Sequence, residues 1–253
     1  MIITIANQKG GVAKTTTAGA LAAGLALRGY KVLAIDLDPQ GNLSFFADAD
    51  NENLPTMYDV LKRSKDLADV IQHSKHFDIA PANILLAGVE QEVTGVDKAY
   101  RLKESLDVFR HDYDFIIIDT PPALGTLTVN AFTASDRLLI PSNAGSFALQ
   151  GIIQLNDAVE TVKKYCNARL KIAGILMTRY NPRSNISKAM RDLTEQIGAT
   201  IGAKVFNAFI RETKVVEEAQ ATKQDIFTYA EKATATTDYY NFISEFLEGE
   251  GLH

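Results

Sequence analysis

The residues most able to do chemistry lie near the N-terminus, in a loop rich in glycine and lysine that follows the apolar run Ile2–Ala6. Its two adjacent glycines permit a tight turn whose backbone N–H groups face an anion, and a helix that starts behind them adds its positive end. In such a loop a lysine reaches the β- and γ-phosphates, and a following threonine hydroxyl binds Mg²⁺. We therefore predict that ATP or ADP with Mg²⁺ binds eight consecutive residues: Lys9, Gly10, Gly11, Val12, Ala13, Lys14, Thr15 and Thr16.

Two aspartates follow the second apolar run, Lys31–Ile35. Carboxylates just beyond the C-terminal end of a parallel strand face the ligand crevice of the sheet. Asp36 and Asp38 are two residues apart, so they share a face only while the chain stays extended, and Pro39 ends the strand. We predict that Asp36 and Asp38, with Thr15, lie at the metal.

A third carboxylate, Asp119, follows the apolar run Phe115–Ile118. A buried strand that ends in aspartate is typical of the strand that delivers a carboxylate to the Mg²⁺ shell of phosphoryl-transfer enzymes, often through water. Alone this pattern is common. As the third such motif, in the expected order along the chain, it predicts that Asp119 belongs to the same metal site.

The elements that must position these residues alternate between strand and helix. Apolar runs favour strands at Ile2–Ala6, Lys31–Ile35, Phe115–Ile118, Leu138–Pro141 and Leu170–Met177. Helical patterns occupy Thr15–Leu27, Leu127–Ala134, Phe147–Tyr165, Ile186–Ile197 and Thr236–Glu248. Nearly continuous apolar strands that alternate with helices predict the α/β class, with a single doubly wound, mostly parallel sheet and helices on both faces.

We predict one domain over residues 1–253, with a helical elaboration at about 51–110. In that stretch Thr56 resembles an N-cap before the helix Met57–Arg63, and Asp97 resembles one before Lys98–Phe109. Phe77–Ala80 could add a short strand.

Composition limits the other possibilities. The 253 residues carry a formal net charge of −5, so a global basic field for nucleic acid is absent and any DNA contact needs a local patch. Cys166 is the only cysteine, which fits a reducing cytoplasm. No apolar run approaches the ~18 residues that a membrane span needs.

The phosphate loop departs from the strict pattern G-x-x-x-x-G-K-[ST], because Gln8 and Ala13 occupy its two glycine positions. The string K-G-G-x-x-K-T resembles the deviant Walker A motif of the class that includes ParA, MinD and the nitrogenase iron protein. The resemblance extends to D-x-D-P-Q-G-N at Asp36 and to T-P-P after Asp119. It covers nearly the whole chain, although most members carry glycine where Ala13 stands.

The resemblance implies an enzyme, a Mg²⁺-dependent ATPase that is slow without its partner. Lys9 would reach across an ATP-dependent homodimer to the partner's nucleotide, Lys14 would bind the phosphates, and Asp38 would orient or activate water. Asp36 would support the metal or a switch loop. The resemblance also implies that adenine lies near three residues: Asn181, Ile210 and Arg211.

Within the class, the strings at Asn7–Val12, Asp38–Asn42 and Phe147–Gly151 resemble ParA. A cluster-binding relative is disfavoured, since one cysteine cannot supply the ligands. The alternative is a MinD-like positioning ATPase that associates with membrane. Such proteins end in a basic amphipathic helix, whereas this chain ends in an acidic segment whose Phe242, Phe246 and Leu247 fit a core-facing stripe.

ParA-type proteins bind double-stranded DNA nonspecifically, which requires clustered lysine and arginine. The segment from Arg179 to Arg191 holds four basic residues and no acid, and Arg211 with Lys214 forms a second cluster. From these we predict four DNA contacts: Arg183, Lys188, Arg191 and Lys214. The resemblance further implies a ParB-like centromere-binding partner and a cytoplasmic, nucleoid-associated protein without membrane attachment.

Overall fold

The protein is described by a computed structural model that covers residues 1–145 and 148–252. In these residues eight strands form one sheet. They are β1 (Ile2–Ile5), β2 (Val32–Asp36), β3 (Gln72–His73), β4 (Asp78–Ala80), β5 (Phe115–Asp119), β6 (Arg137–Asn143), β7 (Lys171–Tyr180) and β8 (Val205–Arg211).

The strands lie in the order β3-β4-β2-β5-β1-β6-β7-β8. All neighbours are parallel except β3 and β4, which form a short antiparallel pair at one edge. Every residue of β1, β2 and β5 is buried, because parallel strands in this position are covered on both faces. The predicted fold class is confirmed.

Eleven α-helices accompany the sheet in the described residues. They are α1 (Lys14–Ala26), α2 (Asn42–Phe46), α3 (Met57–Lys62), α4 (Val89–Glu92), α5 (Arg101–Asp107), α6 (Thr126–Ala134), α7 (Ala148–Tyr165), α8 (Asn185–Thr200), α9 (Val215–Ala221), α10 (Ile226–Tyr229) and α11 (Thr234–Gly249). The predicted start of α7 at Phe147 lies outside the described residues.

Alternation along β1 shows how the helices divide between the two faces. Ile3 and Ile5 belong to an apolar cluster with α1 and α11, whereas Ile2 belongs to a cluster with α3, α5 and α6. Successive side chains of a strand point to opposite faces, so each helix group covers one side. None of the helices in the described residues is long and apolar enough to cross a bilayer.

The stretch 51–110 differs from expectation at one helix. Asp97 does not begin a helix there; α5 starts at Arg101, with Tyr100 at its N-cap. The Asp97 carboxylate instead lies 2.9 Å from the Arg63 guanidinium, and Gly95, in a left-handed conformation, turns the chain just before it. The predicted cap at Asp97 is therefore wrong. The strand predicted at Phe77–Ala80 is present as β4.

Candidate functional site: a nucleotide cleft at the carboxyl edge of the sheet

Three motifs meet where β1, β2 and β5 end. In the parallel register Asp119 of β5 lies opposite both Ile5 of β1 and Asp36 of β2. The phosphate loop leaves β1 at this point and leads directly into α1. Carboxyl ends of parallel strands share one edge, so this topology brings the loop and the carboxylates of two strands together.

Two residues of the loop adopt a left-handed backbone. Gly11 has φ 72°, and Ala13 has φ 63° as the N-cap of α1. Glycine adopts this region freely, whereas a Cβ makes it unfavourable by roughly 1–2 kcal/mol. Ala13 therefore holds the position that a glycine would occupy without strain.

Val12, between them, anchors the loop. Its side chain is buried, and its carbonyl oxygen accepts a hydrogen bond from the Thr178 hydroxyl at 3.1 Å. The Val12 side chain does not line the cleft described below. Its position ties the loop to β7, and a nucleotide contact by Val12 stays a prediction.

Lys14 lies at the start of α1 with its side chain almost wholly buried. Its Nζ donates to the Lys9 carbonyl oxygen at 3.2 Å. Burial lowers the pKa of Lys14, and the charges of Asp119 and Asp38 oppose that shift. A buried ammonium held inside a glycine-rich loop, with carboxylates beside it, is suited to bind phosphate oxygens.

Asp119 is the least satisfied group of the site. It is fully buried, and neither carboxylate oxygen has a hydrogen-bond partner among the described residues. Burial raises the pKa of Asp119 well above its usual range and the Asp36 charge adds to this, whereas the nearby Thr15 hydroxyl and then the Lys14 charge oppose it. A buried carboxylate without a donor fits a cation, because Mg²⁺ prefers oxygen ligands and would satisfy these oxygens.

Asp36 is equally buried but well supplied with donors. Its Oδ2 accepts from the backbone N–H and the hydroxyl of Ser44, both at 2.8 Å, and its Oδ1 accepts from the Asp38 N–H. Burial raises the pKa of Asp36 to about 6 against the effect of these bonds. Asp36 thus holds the loop between β2 and α2. Its predicted contact with the metal stays a prediction.

Asp38 faces the cleft from that loop. It is 9% exposed, and its Oδ1 accepts from the Gln40 N–H at 3.0 Å. Asp36 fixes the Asp38 backbone through the N–H bond, so the Asp38 carboxylate is held on the side of Lys14. A carboxylate in this place can orient a water molecule.

At this edge of the sheet lies a cleft of about 780 Å³, which is within the usual range for a small-molecule site. The phosphate-loop residues that line it are Gly10, Gly11, Ala13, Lys14, Thr15 and Thr16, and Asp38, Phe45, Phe46, Pro121, Arg179 and Gln220 lie around them. The cleft joins a positive loop to the Asp38 carboxylate, and Asp119, which does not itself line the cleft, acts on Lys14 through its charge. A nucleotide with Mg²⁺ needs such a combination of positive groups and carboxylates.

Known proteins resemble this chain in sequence and in fold. A family model described as an AAA domain matches residues 1–172. The sporulation initiation inhibitor protein Soj of Bacillus subtilis is 37% identical over 248 residues, which are 96% of this chain and 97% of Soj. The chromosome partitioning protein ParA of Caulobacter vibrioides is 36% identical over 255 residues, covering 98% of this chain and 94% of that protein.

The chain belongs to the ParA-type family. Among solved structures, cobyrinic acid a,c-diamide synthase from Mycobacterium smegmatis has a TM-score of 0.85 and 30% identity, and the match covers 99% of this chain and 95% of that one. It was solved with ADP and magnesium, and also with an ATP analogue and magnesium. The predicted family and, at the level of the family, the predicted cofactors are confirmed.

Lys9, the residue that marks the deviant motif, lies outside the cleft of its own chain. Its backbone N–H donates to Asn7 Oδ1, and its Nζ donates to Asn143 Oδ1 at 3.2 Å. Lys9 is half-buried and does not line the cleft. In this ParA-type chain the side chain therefore contacts the end of β6 rather than the phosphates of its own subunit.

The predicted adenine contacts separate in the structure. Ile210 and Arg211 line a smaller recess of about 70 Å³, with Ala13 and Thr16 also on its wall. Arg211 is held there by Asp238, whose oxygens accept from its Nη2 at 2.6 Å and its Nε at 2.9 Å. Asn181 does not line the recess; its Oδ1 accepts from the Arg183 N–H in the turn before α8.

The predicted DNA contacts also differ from one another. Arg183, Lys188 and Lys214 are exposed. Arg191 is mostly covered: its Nε donates to Glu195 Oε1 at 2.9 Å and its Nη2 to the Phe206 carbonyl oxygen at 3.1 Å. Arg191 thus secures α8 to β8 and offers less of its charge to a partner than the other three do.

Sequence reasoning missed several residues that shape the site. Ser44 holds Asp36, Asn143 holds Lys9, and Gln220 donates its Nε2 to the Thr16 hydroxyl at 3.0 Å. Ser44 could have been found from the sequence, because it follows the end of the D-x-D-P-Q-G-N motif by two residues. Gln220 carries no local signal, since 204 residues separate it from Thr16.

Proposed function

We propose that this ParA-type chain is an ATP-driven switch in DNA partition. Two ATP-bound subunits pair as a sandwich dimer, the dimer holds double-stranded DNA nonspecifically, and hydrolysis stimulated by a ParB-like partner releases it. The protein would act in the cytoplasm on the nucleoid. The observation that carries the proposal is the cleft, in which Lys14 and Asp38 face the phosphate loop, with the buried carboxylate of Asp119 acting on Lys14.

In this proposal each residue has a distinct task. Lys14 and the loop N–H groups bind the phosphates, Thr15 and Asp119 hold the metal, and Asp38 positions the attacking water. Bound Mg²⁺ would neutralise charge on the phosphates. The protein's own contribution is positioning and fixed charge, which is what phosphoryl transfer requires.

The position of Lys9 supports the dimer. Its ammonium is half-buried at the surface, bound to a neutral amide rather than to a carboxylate, so release from Asn143 leaves no charge unpaired within its own chain. A lysine held in this way is free to bind phosphate on a second subunit. The nucleotide then links the two subunits.

The proposal favours DNA over a membrane surface for a structural reason. Phe242, Phe246 and Leu247 of α11 are buried in the apolar cluster with α1. An interfacial helix must offer such residues to lipid. Here they are already packed, whereas Arg183, Lys188 and Lys214 are exposed.

The test measures ATP turnover and DNA retention. We expect sonicated DNA to be retained with ATP but not with ADP, with steep loss as salt rises, because phosphate contacts release counterions. Turnover should rise when a cognate ParB-like protein is added. Retention that ignores nucleotide, or no turnover even with the partner, contradicts the proposal.

Lys9→Gln tests the dimer directly. The variant should bind nucleotide but remain a monomer in sedimentation with a non-hydrolysable ATP analogue, whereas the native chain forms dimers. Lys171→Gln removes the same charge from an exposed residue at the start of β7 and should leave the dimer intact. Normal dimers of Lys9→Gln would refute the role of Lys9 in the second subunit's site.

A further inference from the structure

The register of β7 against β8 shifts just before β7 ends. Met177 pairs with Phe209 and Tyr180 with Arg211, so three steps along β7 match only two along β8. Arg179 lies in this interval with φ 48°, a left-handed conformation that residues with a Cβ rarely adopt. Register irregularities of this kind commonly re-aim a side chain beside an active site, and such strain is often found where a side chain has a task.

The shift separates Arg179 from its neighbours. Tyr180 is buried and packs on Phe209, with ring centroids 4.7 Å apart, and Thr178 is buried against Val12. Arg179 alone of the three is exposed. The strand end is therefore fixed on both sides of Arg179 while its side chain points away from the core.

Arg179 lies at the junction of two spaces. It lines the large cleft that holds the phosphate loop and also the smaller recess beside Ile210. Ala13, Thr16 and Gln220 line both spaces as well. A nucleotide whose terminal phosphates lie at Lys14 and whose base lies toward the recess must pass this junction with its α-phosphate and sugar.

The guanidinium of Arg179 is weakly held. Its Nη2 lies 3.5 Å from Glu217 Oε1 on α9, and the two side chains are 48% and 70% exposed. Arg211, in contrast, makes short bonds to both oxygens of Asp238. An exposed ion pair of this length contributes little, so Arg179 can exchange Glu217 for a better anion, and a planar guanidinium matches phosphate oxygens.

We propose that Arg179 binds the nucleotide at the α-phosphate and sugar, the part that ADP and ATP share. Glu217 holds the side chain over the junction until the ligand arrives. This assigns Arg179 to the nucleotide rather than to DNA, although it begins the basic segment that runs to Arg191. The inference rests on the proposed function only in taking an adenine nucleotide as the ligand.

Arg179→Gln tests this assignment. Titration of fluorescent ADP and ATP analogues without DNA should show affinity lower by about tenfold, the size of one lost charge-assisted hydrogen bond. The loss should be the same for both ligands. Arg169→Gln, an equal change of charge at an exposed residue just before β7 begins, should bind both normally. Unchanged affinity in Arg179→Gln, or a loss confined to ATP, would overturn the assignment.

Glu217→Gln separates binding from folding. This variant leaves Arg179 in place and unpaired, so it should bind ADP at least as tightly as the native chain. A loss as large as that of Arg179→Gln would show that the ion pair acts structurally, and the inference would fall. If Arg179→Gln is unstable, Glu217→Gln decides alone: ADP binding as tight as that of the native chain supports the inference, and a large loss of affinity overturns it.

DNA retention distinguishes this inference from the proposed function. If Arg179→Gln binds nucleotide normally but loses ATP-dependent DNA retention, Arg179 belongs to a DNA surface, and the proposed function stands. If the native chain shows no ATP-dependent retention while Arg179→Gln still loses nucleotide affinity, the proposed function fails and the inference survives.

Discussion

Asp119 gives the sharpest test of the site, because its burial disfavours the charged carboxylate in the ligand-free protein. Both oxygens are buried without a donor, and Asp36 lies opposite in the neighbouring strand. Asp119→Asn keeps the shape of the side chain and removes the charge. We expect it to stabilise the ligand-free protein and to weaken Mg²⁺-dependent nucleotide binding.

The magnitude follows from removing a buried charge, because the amide that replaces the carboxylate has the same shape and the same lack of partners. A buried polar group without a partner is unfavourable by about 1–3 kcal/mol, more when it is charged. For a chain of this length each kcal/mol moves the thermal midpoint by about 2–4 °C, so the midpoint of Asp119→Asn should rise by roughly 2–12 °C. A ligand at a hundredfold excess over its Kd stabilises the native chain by about 2.7 kcal/mol, and the variant should lose most of that gain.

Thermal unfolding with and without Mg²⁺ and ATP measures both effects. Asp112→Asn changes the charge equally at an exposed residue before β5 and should stay within about 0.5 kcal/mol of the native chain. The reasoning is refuted if Asp119→Asn lowers the midpoint of the ligand-free protein. It is also refuted if the variant gains as much from Mg²⁺ and ATP as the native chain does.

Two backbone changes make further predictions. Ala13→Gly should raise the free energy of unfolding by up to about 1 kcal/mol in urea titration, because removing the backbone strain at φ 63° outweighs the added entropy of the unfolded chain. Ala189→Gly, at an exposed position of α8, should instead lower the free energy of unfolding by about 1 kcal/mol. Equal signs for the two would contradict the strain at Ala13. Gly174→Ala should lower the free energy of unfolding by about 1–3 kcal/mol, since a Cβ would lie 2.6 Å from the Phe206 ring and 3.0 Å from the Lys204 carbonyl oxygen. An unchanged urea midpoint would show that both neighbours move aside freely.

The centre of the fold could be predicted because its strands are almost wholly apolar. β1, β2 and β5 are buried on both faces, so their runs stand out against the helices, and the predicted bounds differ from the structure by at most one residue at either end. The site residues at their ends follow from the topology. Asp36, Asp38 and Asp119 come together for this reason.

The edges of the fold could not be predicted in the same way. The apolar pattern of the sequence does not predict β8 as a strand, because Asn207 interrupts that pattern and several residues of β8 are only half-buried. It is paired with β7 on one side and covered by α11. Its conformation depends on these partners more than on local preference, which is the usual situation for an edge strand.

Contacts across the chain escaped prediction for a related reason. Lys9 meets Asn143 at a separation of 134 residues, and the orientation of Arg179 depends on the register between β7 and β8. Sequence spacing identified Lys9 as chemically important and placed Arg179 in a basic segment. Only the packed sheet shows that one faces away from its own cleft and the other faces into it.

The ligand-free cleft and its surroundings combine three unfavourable features, and one ligand would relieve two of them together. Ala13 is strained at the loop, Lys14 is a buried cation whose pKa is lowered by burial, and Asp119 is a buried carboxylate without a donor. Phosphate oxygens would pair with Lys14, and a cation would satisfy Asp119. Such features persist at sites where the surrounding structure enforces them and function uses them. The binding energy of the nucleotide therefore includes the release of unfavourable energy already stored in the fold, and the stability of this protein should depend strongly on its ligand.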